Sequence, residues 1–302
     1  GVWADASQIL VTVGAQHALF LAMQLLLDEG RCMGLENPGY VDARNIAASR
    51  GARLLPLAVD HEGLVPDGQL ADCNCIYVTP SHQSPTTVTL TAERRQLLLR
   101  LAEEHDFLVL EDDYEAETSF SNQPQLALKG LDTCNRVIYI GSLSKTLSPG
   151  LRIGYLVGPS DFIREARALR RLMLRHPASN NQRAVALFLA RGYHDSLIRH
   201  LVERYRERWS AMSDALQRHL PDSAGAPSFG GSSFWVEGPR RLDARELAAR
   251  AMQEGILIEP GDVHFLDDSP PRHCFRLGYS SIPVERIEPG IRKLAEIIGS
   301  MV

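Results

Sequence analysis

The stretch Gly141-Ser142-Leu143-Ser144-Lys145-Thr146-Leu147-Ser148-Pro149-Gly150-Leu151-Arg152-Ile153-Gly154-Tyr155 follows an apolar run at residues 136–140. A polar segment of small residues after a buried strand sets Lys145 where a sheet edge opens onto a ligand crevice, or else is a surface loop with a solvated lysine. A P-loop is excluded, because Ser144 precedes the lysine and the required glycines are missing. Upstream, Thr12-Val13-Gly14-Ala15-Gln16-His17-Ala18 opens a helical stretch. Free backbone N–H groups at a helix start, added to the helix dipole, make an anion site suited to a phosphate. Glu111-Asp112-Asp113-Tyr114-Glu115-Ala116-Glu117 closes another apolar strand, and such an acidic cluster suits a metal site or a solvated strand end.

The elements that must position these residues alternate along the first half. Residues 15–29 carry apolar positions at helical spacing, residues 31–36 are short and extended, and Pro38-Gly39 precedes another helical stretch. Strands follow at residues 75–79, 107–111, 136–140 and 153–157, with a helix at 91–105. Phe107-Leu108-Val109-Leu110 is apolar throughout, the mark of a strand buried on both faces in a mainly parallel sheet covered by helices. Beyond Asp161 the pattern changes to helices at 162–174, 181–190 and 193–219. Strands near 233–236, 256–259 and 274–277 then mix with helices at 244–254 and 284–298. The expected fold class is α/β, a three-layer α/β/α large domain over residues 1–190 and a smaller α+β domain over residues 191–302.

Composition narrows the function classes. The chain has 302 residues, 44% apolar and 23% charged, which is ordinary for a globular protein and excludes disorder. Its 32 basic and 37 acidic residues give no footprint for gripping nucleic acid. The apolar run at 19–27 contains Gln24 and is too short to span a bilayer, and no signal-peptide pattern opens the chain, so a cytoplasmic location is expected. Cys32, Cys73, Cys75, Cys134 and Cys274 lack metal-site spacing and read as reduced thiols, and no metal is expected.

Ser-x-Ser-Lys, followed seven residues after the lysine by Arg-x-Gly-Tyr, resembles the cofactor-lysine segment of fold type I aminotransferases, which use pyridoxal 5'-phosphate (PLP). Four further segments match in order: the turn at Gly14; Glu36-Asn37-Pro38-Gly39-Tyr40; Thr79-Pro80-Ser81-His82-Gln83-Ser84-Pro85-Thr86-Thr87; and the acidic segment at Asp112. The resemblance implies that Lys145 forms a Schiff base with the cofactor aldehyde and that Asp112 keeps the ring nitrogen protonated. It further implies that Tyr114 bonds the ring hydroxyl and Tyr40 packs on the ring face. Ser142, Arg152 and the amides of Ala15 and Gln16 would take the phosphate, and Gly14, Ser84 and Ser144 are further cofactor-binding residues. Phe275-Arg276-Leu277-Gly278-Tyr279-Ser280 resembles the strand whose arginine forks onto a substrate carboxylate, although a structural ion pair would also explain Arg276.

In detail the motifs resemble the effector domain of MocR-type regulators of the GntR superfamily, in which a winged-helix DNA-binding domain precedes an aminotransferase-like domain. That resemblance implies a sensor that takes an amino acid or amine effector as an external aldimine, with a catalytic aminotransferase as the alternative. Two departures bear on the choice. Ser84 stands where an aminotransferase carries an asparagine to the cofactor hydroxyl, and Thr87 replaces a glycine. Because the chain starts just before the phosphate turn, it is expected to be part of a longer protein, with DNA contacted only through a winged-helix domain outside it. A homodimer is expected, with the loop at residues 176–182 reaching the neighbour. Asp42 reads as a capping or surface residue, or as a partner for a second cationic group on the effector.

Overall fold

The structure is a computed structural model that describes residues 1–115, 117, 119, 125–223 and 230–302. Eight strands form the larger sheet: β1 (Ile9–Thr12), β2 (Cys32–Asn37), β3 (Arg53–Asp60), β4 (Gly63–Leu64), β5 (Cys75–Val78), β6 (Leu108–Asp113), β7 (Val137–Ser142) and β8 (Gly154–Val157). Their spatial order is β1-β8-β7-β6-β5-β2-β3-β4. The run from β3 through β2, β5 and β6 to β7 is parallel, whereas β1, β8 and β4 join antiparallel at the flanks. Among the described residues a second sheet of three antiparallel strands, β9 (Ser233–Glu237), β10 (Glu259–Pro260) and β11 (Cys274–Gly278), has the order β10-β11-β9.

The helices are α1 (Gly14–Leu26), α2 (Val41–Ser49), α3 (Ala92–Glu104), α4 (Leu128–Leu131), α5 (Ser160–Leu174), α6 (Ser179–Ala190), α7 (Tyr193–His219), α8 (Ala244–Gln253) and α9 (Val284–Met301). One face of the large sheet packs on α1, α2 and α5 through Leu19, Met23, Ala47, Ile163 and Ala166. Fully burying side chains such as Leu19 and Met23 stabilises by about 1.5–3 kcal/mol each. The other face packs on α3 through Leu98 and Ala102. Strands β2, β5, β6 and β7 are buried almost throughout, as a sheet covered on both faces requires. The three-stranded sheet has its own core, where Val236, Phe275 and Leu277 meet Met212 and Leu216 of α7 and Ile287 and Leu294 of α9. Helix starts follow local chemistry: the Thr91 hydroxyl accepts from the Arg94 amide at α3, and Asp243 accepts from the Arg245 and Glu246 amides at α8.

The expected strand at residues 256–259 is not formed as such, because pairing with β11 begins only at Glu259. Helix α1 stops at Leu26, three residues short of the expected end, since Leu27 turns extended. The expected loop at 176–182 is partly helix, as α6 starts at Ser179. Strand β3 is an addition to the sequence reading: Pro56 lies within it, paired in register with Leu35 of β2. Proline lacks the ladder donor and argues against a strand, but β3 lies near the sheet margin, with only the two-residue β4 beyond it. No helix among the described residues is long and apolar enough to cross a membrane.

Candidate functional site

Parallel strands bring their carboxyl ends to one edge, where Thr79 follows β5, Asp112 lies next to the last residue of β6 and Ser142 ends β7. Asp112 is buried, and its Oδ2 accepts from the Tyr77 hydroxyl at 2.8 Å. Its Oδ1 has no hydrogen-bond partner among the described residues. Burial pushes the Asp112 carboxyl up to about 6, against the pull of the Tyr77 bond and the Lys145 charge. A buried carboxylate with one oxygen uncommitted favours a cationic N–H donor. Next to it, Asp113 accepts from the Tyr139 hydroxyl at 3.1 Å and is also pushed up by burial.

Lys145 follows β7, and its Nζ lies 4.2 Å from the centre of the Tyr114 ring and 2.6 Å from Glu115 Oε1. The chain has three lysines. Lys129 is locked against Asp132 at 2.8 Å, and Lys293 pairs with Glu254 at 3.3 Å on the far helices, so Lys145 is the lysine at the strand ends. Burial raises the Tyr114 phenol well above its ordinary value, an effect strengthened by Glu115 and countered by the Arg276 guanidinium.

Across the edge, α1 begins at Gly14 with φ of +76°, a conformation that glycine adopts without a Cβ penalty. A Cβ on Gly14 would lie 3.0 Å from Arg152 Nη2, and one on Gly154 would lie 2.5 Å from the Gly14 carbonyl carbon and 2.7 Å from the Ala15 nitrogen. The two glycines thus let the guanidinium and the first turn of α1 converge. Ala15 and Gln16 sit in that first turn, where amides lack partners within the helix. Arg152 is itself left-handed, at φ of 49°. The Ser144 amide donates to Ser142 Oγ at 3.3 Å, and Ser144 Oγ is buried without a partner among the described residues. A guanidinium, hydroxyls and helix-start amides together make an anion cradle.

Tyr40 lies between the cradle and Asp112. Its ring stacks on Tyr77 at 6.4 Å between centres, and its hydroxyl donates to Gln16 Oε1 at 3.1 Å and to Asp42 Oδ2 at 3.2 Å. Asp42 makes no capping hydrogen bond at α2; Gln16 and Tyr40 hold its carboxylate, which corrects the capping reading and leaves it an exposed residue at the rim. Ser84 enters through its backbone, its amide donating to Thr79 Oγ1 at 2.9 Å and its carbonyl accepting from Gln83 Nε2. Thr87 adopts φ of 65°, the left-handed region in which a β-branched residue is strained, so the glycine position of the motif is retained in geometry without its residue. Arg276 is engaged in an ion pair with Glu259 at 2.9 Å and bonds Ser233 Oγ at 2.8 Å. Among the described residues no cluster of three or more His, Cys, Asp or Glu is arranged to hold a metal ion.

Several participants escape the sequence reading. Tyr77 sits in a four-residue apolar strand, where an aromatic reads as core. Glu36 is buried and accepts from the Thr79 amide, the Thr79 hydroxyl and Gln83, and burial pushes it up to about 7. Glu115 reads as one more member of the acidic run. Glu259 is 17 residues from Arg276, and only the β10–β11 register sets them opposite each other.

Residues 2–294 match the family model described as aminotransferase class I and II. The chain is 45% identical over 298 residues to the HTH-type transcriptional regulator TauR of Rhodobacter capsulatus, covering 99% of this chain and 62% of that protein. It therefore spans about three fifths of the length of that relative. It is 29% identical over 301 residues to aromatic-amino-acid aminotransferase 1 of Thermococcus litoralis, covering 96% of this chain and 72% of that one. The solved structure of an archaeal alanine:glyoxylate aminotransferase superposes with a TM-score of 0.94 at 28% identity, over 99% of this chain and 76% of that chain. The architecture is the fold type I aminotransferase fold, a mainly parallel large sheet with a small antiparallel one. With the family model covering nearly every residue and the fold agreeing, this chain belongs to the class I and II aminotransferase family.

Proposed function

We propose that this chain is the effector-sensing domain of a PLP-dependent transcriptional regulator of MocR type, with Lys145 carrying the cofactor and an amino acid or amine as effector. The observation that carries the reading is the contrast in likeness, 45% identity to a transcriptional regulator over 99% of the chain against 29% to an aminotransferase.

The residues present fit the cofactor. A buried, uncommitted Asp112 Oδ1 suits a protonated ring nitrogen, and the cradle of Arg152, Ser142, Ser144, Gly14 and the Ala15 and Gln16 amides suits a phosphate. PLP bound there supplies an aldehyde that condenses with amines and a ring that withdraws electrons from the atoms attached to it. Asp112 would hold the proton on the ring nitrogen, with Tyr77 fixing the carboxylate. Tyr114 would bond the ring hydroxyl, and Tyr40, braced by Gln16 and Asp42, would pack on the ring face. Ser84 would offer a hydroxyl where an asparagine serves in the enzymes. Arg276 would exchange Glu259 for the effector carboxylate.

In this reading the chain divides into a large domain, residues 1–190, and a small domain, residues 191–302. An effector touching both Lys145 and Arg276 biases their arrangement. DNA is contacted through a winged-helix domain outside this chain, in the cytoplasm. The regulator is a homodimer; exposed Leu172 and Met173 on α5 and Leu187 and Leu189 on α6 supply apolar surface for such an interface.

The second reading, a catalytic aminotransferase, draws on the TM-score of 0.94 to one. Mixing PLP-loaded protein with amino compounds and a keto-acid acceptor separates the two. The sensor gives a lasting spectral change, abolished by Arg276→Ala. Repeated turnover at about one per second or faster overturns it.

A further inference from the structure

Glu115 lies just past β6 and has no part in holding the cofactor in the reading above. Its side chain is 2% exposed, whereas that of Lys145 is 45% exposed. One oxygen, Oε1, accepts both from Lys145 Nζ at 2.6 Å and from Ser232 Oγ at 2.5 Å. Burial pushes the carboxyl up, but Lys145, Ser232 and the nearby His82 outweigh it and hold Glu115 below its ordinary value. The pair therefore spans the two sheets: Lys145 follows β7 of the large one, and Ser232 immediately precedes β9 of the small one.

Beyond Ser232 the connection continues into packed core. The Ser232 carbonyl accepts from the Tyr279 amide at 3.0 Å, and the Tyr279 hydroxyl donates to the Gly231 carbonyl at 2.6 Å. Tyr279 is fully buried in the core of the small sheet, edge-on to Tyr205 of α7. Gly231, at φ of +79°, packs so closely that a Cβ there would lie 3.3 Å from Glu115 Oε2 and 3.5 Å from His82 Cδ2. The head of β9 is the lid on the carboxylate. A buried carboxylate is tolerated while it is paired, and a donor lost from it is compensated by hydration or by opening of whatever covers it.

We infer that Glu115 is a positioning residue that reports the state of Lys145 to the three-stranded sheet, holding residues 231–234 closed while Lys145 is a free ammonium and releasing them when Lys145 is engaged. The inference rests on the reading that Lys145 carries PLP. To engage, Lys145 gives its extra proton to solvent. Its nitrogen then forms a C=N bond to the aldehyde carbon, and the aldehyde oxygen leaves as water with the two remaining amine hydrogens. Glu115 thereby loses its ammonium donor. An amine effector whose nitrogen took over the bond to that carbon, its two N–H hydrogens passing to the Lys145 nitrogen, would return Lys145 as an amine, which regains a proton from solvent and can pair with Glu115 again.

Hydrogen–deuterium exchange of the amides at 231–234, read by mass spectrometry, tests this. Lys145→Ala, without any cofactor, should exchange there about tenfold faster than wild type, the effect of losing one charge-assisted hydrogen bond. PLP-loaded wild type should do the same. In a Glu115→Gln background, Lys145→Ala should add nothing. Ser232→Ala gives a second background, with the same expectation, should Glu115→Gln fail to fold. Equal exchange in wild type and Lys145→Ala, or an undiminished Lys145→Ala effect in both backgrounds, overturns the inference. The cofactor-free comparison separates it from the functional reading: failure of PLP to bind would sink that reading while leaving the Lys145→Ala result to decide this one.

Discussion

Tyr77 and Asp112 stand on adjacent parallel strands, and the Tyr77 hydroxyl donates to Asp112 Oδ2 at 2.8 Å while Oδ1 stays buried and unpartnered among the described residues. The carboxylate is thus oriented by one neighbour and held ready for a cation. Asp112→Asn removes the charge that favours a protonated ring nitrogen. Retention of PLP, followed by its visible absorption during dilution, should weaken about ten- to a hundredfold, the range for a charge-assisted bond. Tyr77→Phe, which only releases the carboxylate, should cost less. Equal affinity in Asp112→Asn and wild type would count against the assigned role.

Gly14→Ala places a Cβ 3.0 Å from Arg152 Nη2 in a backbone conformation with φ of +76°. It should destabilise the chain by about 1 kcal/mol and displace the guanidinium from the cradle. PLP affinity should fall, whereas affinity for pyridoxal, which has no phosphate, should hardly change. Parallel losses for both compounds would show that Gly14 does not serve the phosphate.

Glu259 holds the Arg276 guanidinium, and the neighbouring His264, 3.5 Å away, together with Arg276 pulls its carboxyl down to about 2. In the proposed role an effector carboxylate would displace it. Because the Glu259 side chain is 47% exposed, the pair contributes little, at most about 1 kcal/mol. Glu259→Gln should therefore tighten amino-acid binding to PLP-loaded protein by no more than about fivefold, and Arg276→Ala should weaken it by about tenfold or more. Weaker binding in Glu259→Gln, measured by calorimetry, would contradict the competition.

Burial pushes Glu36 up to about 7 from an ordinary 4.5. The folded chain thus favours its protonated form, and the stability it contributes is complete below about pH 4.5 and lost as pH rises through about 7. Between those limits wild type should lose up to about 3 kcal/mol relative to Glu36→Gln, which cannot ionise. Glu111, also pushed up by burial, is common to both proteins and cancels in the comparison. Urea midpoints that run parallel from pH 4.5 to pH 8 would refute the assignment.

What the sequence made legible is local. Apolar strands without alternation read as a covered parallel sheet, and β5, β6 and β7 are buried on both faces. Lys145, Asp112 and Arg152 fall within short spans of chain anchored to those strands, and the structure brings them to one edge. Relations between distant segments were not legible. Pro56 disguises β3, the pairing of Arg276 with Glu259 needs the β10–β11 register, and the Glu115–Ser232 contact joins residues 117 positions apart. Asp42 shows the limit within one segment: its place near a helix start suits a cap, but the side chains of Tyr40 and Gln16 take its carboxylate instead.

Whether Lys145 carries PLP can be read directly, because the chain has only three lysines. Purified protein loaded with PLP is reduced with borohydride, digested, and its peptides are read by mass spectrometry. The reduced cofactor is expected on the peptide containing Lys145, and its loss in Lys145→Ala. Label on Lys129 or Lys293, or no label on any of the three, would contradict it.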